Sequence, residues 1–196
     1  MKQKLYELLS DGDCVFIDVG ANFGYWALRA AARGASVIAI EPDERNLKLL
    51  NANTEFNGFG RTIRVVAGCA GHKSGIREFA QERYGRKNTL VDYKGGQRGV
   101  YNSTIKVRCH TLDELVRGAH ISDSSRLVLK IDVEGAETEV IQGAKHLIST
   151  FRPAIVFEAL TPRAHMAVKN ALQGIEPSYE TVEIDRTNYY AYYANV

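Results

Sequence analysis

Between Val15 and Gly24 the chain reads Val-Phe-Ile-Asp-Val-Gly-Ala-Asn-Phe-Gly, and no other stretch limits the possible folds so tightly. An apolar run ends in an acid, a loop follows with glycines at its first and fifth positions, and helix-forming sequence comes after the loop. That order describes a strand entering a tight turn, whose backbone can approach a ligand and whose helix N-terminus points at it. A second apolar run, 36–40, ends at Glu41, about 20 residues past the first glycine, where an acid can accept both hydroxyls of a ribose. The two features together predict a nucleoside-bearing ligand across the carboxyl ends of the first two strands.

The rest of the chain repeats the strand–helix alternation. Residues 3–10 read as a short leading helix, 14–19 as the first strand, and 23–33 as a helix ending at Gly34. A strand at 36–40, a helix from Asp43 to about Phe56 and a strand at 62–67 follow. The pattern then breaks: 71–103 is rich in Gly, Lys, Arg and Tyr, with strand-like pieces only at 76–80 and, after it, at 104–109. Thr111 and Glu114 have capping-box spacing for a short helix. Further strands are predicted at 127–132 and 154–158, the first followed by one helix bearing Val140, Ile141, Ala144, Leu147 and Ile148. Thr161-Pro162 starts another helix, and strand-like runs at 179–184 and 189–195 flank a short connection. Nearly continuous apolar strands alternating with helices predict an α/β, mostly parallel sheet covered on both faces. The short terminal connection requires a hairpin, so one of its strands runs antiparallel to the rest.

At 196 residues the chain is expected to form one domain, 1–196, carrying an irregular basic and aromatic insertion at about 71–103. A net charge of +2 gives no strong general attraction to nucleic acid or membranes. Cys14, Cys69 and Cys109 are far apart and without paired spacing, so they read as free thiols in a reducing compartment, with no zinc. With no signal-like or membrane-length apolar run, a cytoplasmic location is expected.

The glycine loop has two readings. A dinucleotide loop is Gly-x-Gly-x-x-Gly, its middle glycine admitting a pyrophosphate; here Asn22 occupies that place and Asp18 precedes the turn. A carboxylate there repels a pyrophosphate and suits a cationic amino group, which favours S-adenosylmethionine (SAM) over NAD. A second constellation runs from Lys130 to Glu137, Lys-Ile-Asp-Val-Glu-Gly-Ala-Glu. Charges inside a parallel strand need a reason, and period-two alternation puts Lys130 and Asp132 on one face. Asp132 falls at a strand's carboxyl end, where doubly wound sheets bind ligands. The bland alternative is a structural Lys130–Asp132 pair, with Glu134 and Glu137 decorating a helix N-terminus. The carboxylates 132, 134, 137 and 139 lack a further ligand set, so no metal is expected. Glu158 ends its strand in the same way and can reach the cleft from the other side. His110 is the histidine nearest a pocket, and a satisfied loop role suits it better. Segment 71–103 carries Lys73, Arg77, Arg83, Arg86, Lys87, Lys94 and Arg98 with Tyr84, Tyr93 and Tyr101 interleaved, and reads as a partial cover over the cleft.

The blocks 15–25, Ile40-Glu41-Pro42, 112–115 and above all 129–137 resemble the FkbM family of SAM-dependent methyltransferases, from about residue 14 to 159. The resemblance implies a Rossmann-like class I methyltransferase sheet in the order 3-2-1-4-5-7-6, strand 7 antiparallel, and O-methylation of hydroxyls on sugars or natural-product scaffolds. The short segment before the first strand implies a missing or reduced N-terminal lid, and 71–103 matches only around Gly75, Phe79 and Asn88-Thr89-Leu90. In this reading Asp18, Gly20, Ala21, Asn22 and Gly24 hold the methionine part, Glu41 the ribose, and Pro42 with Cys69 and Ala70 the adenine. Asp132 is the first candidate for general base, Glu134 or Glu158 the reserve, and Lys130 orients a carboxylate or the acceptor. The expected partner is a small hydroxyl-bearing molecule, with neither nucleic acid nor membrane. The alternatives are a non-catalytic SAM- or nucleotide-binding module and an RNA-directed methyltransferase using the basic 71–103 segment.

Overall fold

The computed structural model describes residues 1–10, 14–82, 89–90, 101–117, 119, 121 and 125–194. The first half contains α1 (Lys2–Leu8), β1 (Val15–Val19), α2 (Tyr25–Ala31), β2 (Ser36–Glu41), α3 (Glu44–Phe56), β3 (Ile63–Ala67), β4 (Cys69–Ala70), β5 (Gly75–Glu82) and β6 (Thr89–Leu90). The second contains β7 (Tyr101–His110), α4 (Leu112–Arg117), β8 (Leu127–Ile131), α5 (Glu137–Gln142), α6 (Lys145–Phe151), β9 (Ala154–Glu158), α7 (Pro162–Ile175), β10 (Tyr179–Asp185) and β11 (Asn188–Tyr193). Among the described residues no helix is long and apolar enough to cross a membrane.

Seven strands form the main sheet in the order β3-β2-β1-β8-β9-β11-β10. Only β11 runs against the others, pairing antiparallel with both β9 and β10. This is the expected arrangement, with the last strand inserted between the fifth and sixth. Alternation along each strand divides the core in two. Ile17, Val19, Leu129, Ile131, Ile155 and Phe157 face one side, with Leu112, Leu147 and Val168 of the helices on that side. Phe16, Val128 and Val156 face the other, with Leu5, Trp26, Ala27 and Leu50. Full burial of each such side chain contributes about 1.5–3 kcal/mol, so both helical layers are held mainly by apolar contact.

Two sequence expectations change. Among the described residues of 71–103 there is more regular structure than expected: Gly75–Glu82 pairs antiparallel with Tyr101–His110 in a second sheet, ordered β4-β7-β5-β6. The alternation there was hidden because one face is polar and solvated, Ile76 included, while Phe79, Val107 and Cys109 are buried on the other. Arg83, Tyr84, Arg86, Lys87, Asn88, Tyr93, Lys94 and Arg98 lie outside the described residues. The single helix expected after β8 is two, α5 and α6, parted at Gly143. A Cβ on Gly143 would lie 2.0 Å from the Gly71 carbonyl oxygen, so the break lets the second sheet's leading loop pass.

Helix α7 begins as its sequence indicates. Thr161 Oγ1 accepts the Ala164 N–H at 3.1 Å, with Pro162 in the first turn. Thr161→Ala is expected to cost about 1 kcal/mol through loss of the cap, read as a lower urea midpoint with an unchanged slope.

Candidate active site

The glycine loop turns off the end of β1 because the Gly20 and Ala21 N–H groups both donate to the Ile40 carbonyl, each at 3.0 Å. Gly20 has φ +77°, and a Cβ on it would lie 2.0 Å from the Asp132 carbonyl oxygen, so the end of β8 presses on a position only glycine fits. Asn22 is left-handed, φ 53°, a conformation asparagine tolerates better than most residues. Its Oδ1 accepts the Phe23 N–H at 2.8 Å, which explains an asparagine where a dinucleotide loop has glycine. At Gly24 a Cβ would lie 2.7 Å from Leu50 Cδ1. That glycine serves helix packing and does not line the cleft.

Asp18 and Lys130 are register partners on adjacent strands with the same parity, so their side chains meet on one face. Lys130 Nζ lies 3.0 Å from Asp18 Oδ1, 3.3 Å from the Gly20 carbonyl and 3.5 Å from Asp132 Oδ2. Burial works against the ammonium, but the Asp18 and Asp132 carboxylates outweigh it and hold the amine above the ordinary lysine range. Asp18 is fully buried beneath the cleft, and its Oδ2 has no hydrogen-bond partner of normal geometry. The structure thus places Asp18 against Lys130 beneath the cleft and outside its lining. Sequence parity paired Lys130 with Asp132; the stronger partner comes from the neighbouring strand.

Glu41, at the end of β2, is also buried. Its Oε2 accepts the Asn22 N–H at 2.8 Å, and its Oε1 accepts the Asp43 N–H at 2.9 Å and Asn46 Nδ2 at 3.2 Å. Burial raises its pKa, although these donors pull it back. A carboxylate offers about four lone-pair sites. With three engaged, Glu41 has room for one hydroxyl rather than the two expected. It also fixes the loop to the start of α3.

After β8 the chain turns through Glu134, φ 55°, and Gly135, φ 110°. Glutamate rarely adopts a left-handed φ, and such residues gather at functional sites. Glu137 does not decorate a solvated helix end: it is buried, and its Oε1 accepts the Gly135 N–H at 3.0 Å, holding the turn. Across the cleft, Glu158 ends β9 and accepts a hydrogen bond from Thr187 Oγ1 at 3.2 Å.

These elements enclose a cleft of about 390 Å³. Gly20, Ala21, Asn22, Glu41, Pro42, Cys69, Ala70, Lys130, Asp132, Glu134 and Glu158 all line it; Asp18, Gly24 and His110 do not. Among the described residues the lining bears four carboxylates, Glu41, Asp132, Glu134 and Glu158, against one ammonium, Lys130. Trp26, Asn46 and Phe79 line the cleft without having been named as site residues from the sequence. Trp26 follows the glycine loop closely enough to be found; Asn46 and Phe79 arrive through long-range packing. Phe79 comes with the β5–β7 hairpin, which Gln81 Nε2 ties to Asp43 Oδ2 at 2.8 Å. The hairpin base therefore does flank the cleft. Cys69 and Cys109, far apart in sequence, are register partners between β4 and β7, both free thiols. Hydrogen bonding to Cys109, with burial, pushes the Cys69 thiol up.

The family model for the methyltransferase FkbM domain matches residues 18–187. No curated protein sequence matches the chain. Among solved structures, the chain is similar to the methyltransferase FkbM from Methylobacillus flagellatus KT, at 22% identity and a TM-score of 0.64. That match covers 93% of this chain and 44% of the other, so the chain spans less than half of that protein's length. It is also similar to a precorrin-6y C5,15-methyltransferase from Geobacter metallireducens GS-15, at 14% identity, TM-score 0.53, covering 96% and 86% of the two chains. A precorrin 8w decarboxylase from Methanobacterium thermoautotrophicum matches at 13% identity, TM-score 0.55, covering 99% and 89%. At these identities the structures speak for the fold.

Proposed function

The chain belongs to the methyltransferase FkbM domain family, and from that premise we propose that it is a SAM-dependent O-methyltransferase acting on a hydroxyl of a sugar or natural-product-like small molecule. The observation that carries the reading is the acidity of the cleft: four carboxyl groups and one ammonium, the latter already shared with buried Asp18. Such a wall attracts a ligand with a sulfonium and an ammonium group and opposes the pyrophosphate of NAD. The donor set also suits SAM by place. The Gly20–Phe23 backbone faces the methionine part, Glu41 offers its remaining lone pair to a ribose hydroxyl, and Pro42, Cys69, Ala70 and Phe79 form the wall for the adenine.

When bound, SAM would supply a methyl group on a sulfonium for in-line transfer to the acceptor oxygen. The protein's part is to align the acceptor and keep water out. Asp132, half-exposed at the end of β8 and held by Lys130, takes the hydroxyl proton. Asp132 and Glu134 accept hydrogen bonds from hydroxyls readily and repel phosphate, which favours a neutral acceptor over RNA.

Calorimetry on the whole chain with SAM, S-adenosylhomocysteine and NAD tests the cofactor. Heat is expected from the first two and none from the third. Binding of NAD alone overturns the methyltransferase reading.

A further inference from the structure

Asp132, Glu134 and Glu158 present carboxylate oxygens that all lie within 4.8 Å of one another. Like charges this close repel one another. The groups facing them are Lys130 from β8, Asp18 from β1 beneath it, Glu137 from the start of α5, and Thr187 from the β10–β11 turn. Lys130 reaches Asp132 at 3.5 Å, so the favoured seat for the negative charge is Asp132. Glu158 stands on the other side, half-buried, and receives the Thr187 hydroxyl instead of a cation.

Thr187 is held with unusual care for a turn residue. Its carbonyl accepts the Ala159 N–H at 2.7 Å, and its N–H donates to Asp185 Oδ1 at 3.3 Å. Asp185 also takes the Asn188 N–H and Nδ2, and its other oxygen pairs with the N-terminal amine at 2.8 Å. The turn therefore sets the Thr187 hydroxyl on Glu158 Oε1 and leaves Oε2 for a proton.

We propose that Asp132 and Glu158 form a carboxyl pair that holds one proton at rest, Asp132 ionised and Glu158 protonated, with Thr187 as the positioning residue for Glu158. The inference rests on the methyl-transfer reading for its role in catalysis. As the acceptor O–C bond forms and the S–C electron pair goes to sulfur, the acceptor's proton moves to Asp132. The pair then holds two protons and returns one to solvent when the product leaves. The direction of titration agrees: half-burial first, then the charges of Asp132 and Glu137, push the Glu158 carboxyl up, and the Thr187 hydrogen bond pulls it back.

The test is a carbon-13 NMR titration of the full chain labelled at glutamate side-chain carboxyls, with Glu158 assigned by loss of its signal in Glu158→Gln. Glu158 is expected to titrate above the exposed glutamates, and its midpoint is expected to fall in Asp132→Asn. In Thr187→Val the midpoint rises further, because a donor to the anion is gone, and Thr187→Ser restores the native curve. A Glu158 midpoint among the exposed glutamates, or one indifferent to Asp132→Asn, overturns the pair. Magnesium ion at millimolar concentration is expected to leave the curve unchanged. If it collapses the raised midpoint, the cluster is a cation site and the proposal falls. The titration needs no SAM, so an elevated Glu158 in a chain that fails to bind SAM would leave the pair standing and remove only the methyltransferase reading.

Discussion

Lys130→Met is expected to destabilise the fold by about 3–5 kcal/mol at neutral pH, the usual cost of removing one partner from a buried ion pair. Methionine fills much the same volume, so the loss comes from charge. Asp18, fully buried, would keep burial and the charge of Asp132 pushing its carboxyl up, with only a backbone hydrogen bond from Ala27 opposing them, whereas Lys130 now opposes that push most strongly. The variant's Asp18 therefore retains a proton in the folded state that the unfolded chain releases near pH 4. A group whose folded pKa is raised contributes stability below its unfolded value and loses it as pH climbs through the folded value. The deficit of Lys130→Met should accordingly shrink in urea titrations at pH 5 and widen at pH 8. Adding Asp18→Asn should recover part of the loss, because it removes the orphaned charge. A loss under about 1 kcal/mol with no pH slope would mean that the pair is not dry and not coupled.

The same pair shows where sequence reading stops. Parity along one strand follows from period two, so Lys130 and Asp132 were legible as neighbours on a face. Register between strands is set by the packing of the whole sheet, and only it could disclose that Lys130 stands opposite Asp18. The glycine loop, both strand-end acids and the sheet order were legible because each depends on local pattern or on a resemblance spanning the chain. Thr187, Asn46 and Phe79 were not, since each meets the site by folding in from an element whose own sequence is ordinary. The β5–β7 hairpin was masked for a related reason: apolar Ile76 shares the solvated face with Glu78 and Lys106, while Arg77 stands on the buried face opposite Val107 and pairs with Glu139, which blurs the alternation. Asp18 was legible as important, but its pairing with Lys130 was not, because the cation comes from the neighbouring strand.

Gly20→Ala is expected to cost roughly 2–5 kcal/mol, from a left-handed backbone of about 1–2 kcal/mol plus overpacking of about 1–3 kcal/mol. The second contribution is unusually certain in direction, because the atom met is backbone: the Asp132 carbonyl oxygen, 2.0 Å from the added Cβ. A side chain might rotate aside, but this oxygen belongs to the end of β8, whose Asp132 N–H is bonded to the Val19 carbonyl at 3.1 Å. Relief must come from parting β1 and β8 at the point where Lys130 and Asp132 meet the loop. Gly58→Ala isolates the two effects, since Gly58 has a similar φ, +73°, and nothing within 4 Å of the added carbon. Gly58→Ala should lose only the conformational part, about 1–2 kcal/mol, and should leave SAM calorimetry as in the native chain. Gly20→Ala should lose more stability in urea and, where it still folds, bind SAM at least tenfold more weakly, a change of about 1.4 kcal/mol. Equal losses in the two variants would show that β8 yields to the methyl group, and would detach the loop's glycine from the strand bearing Lys130 and Asp132.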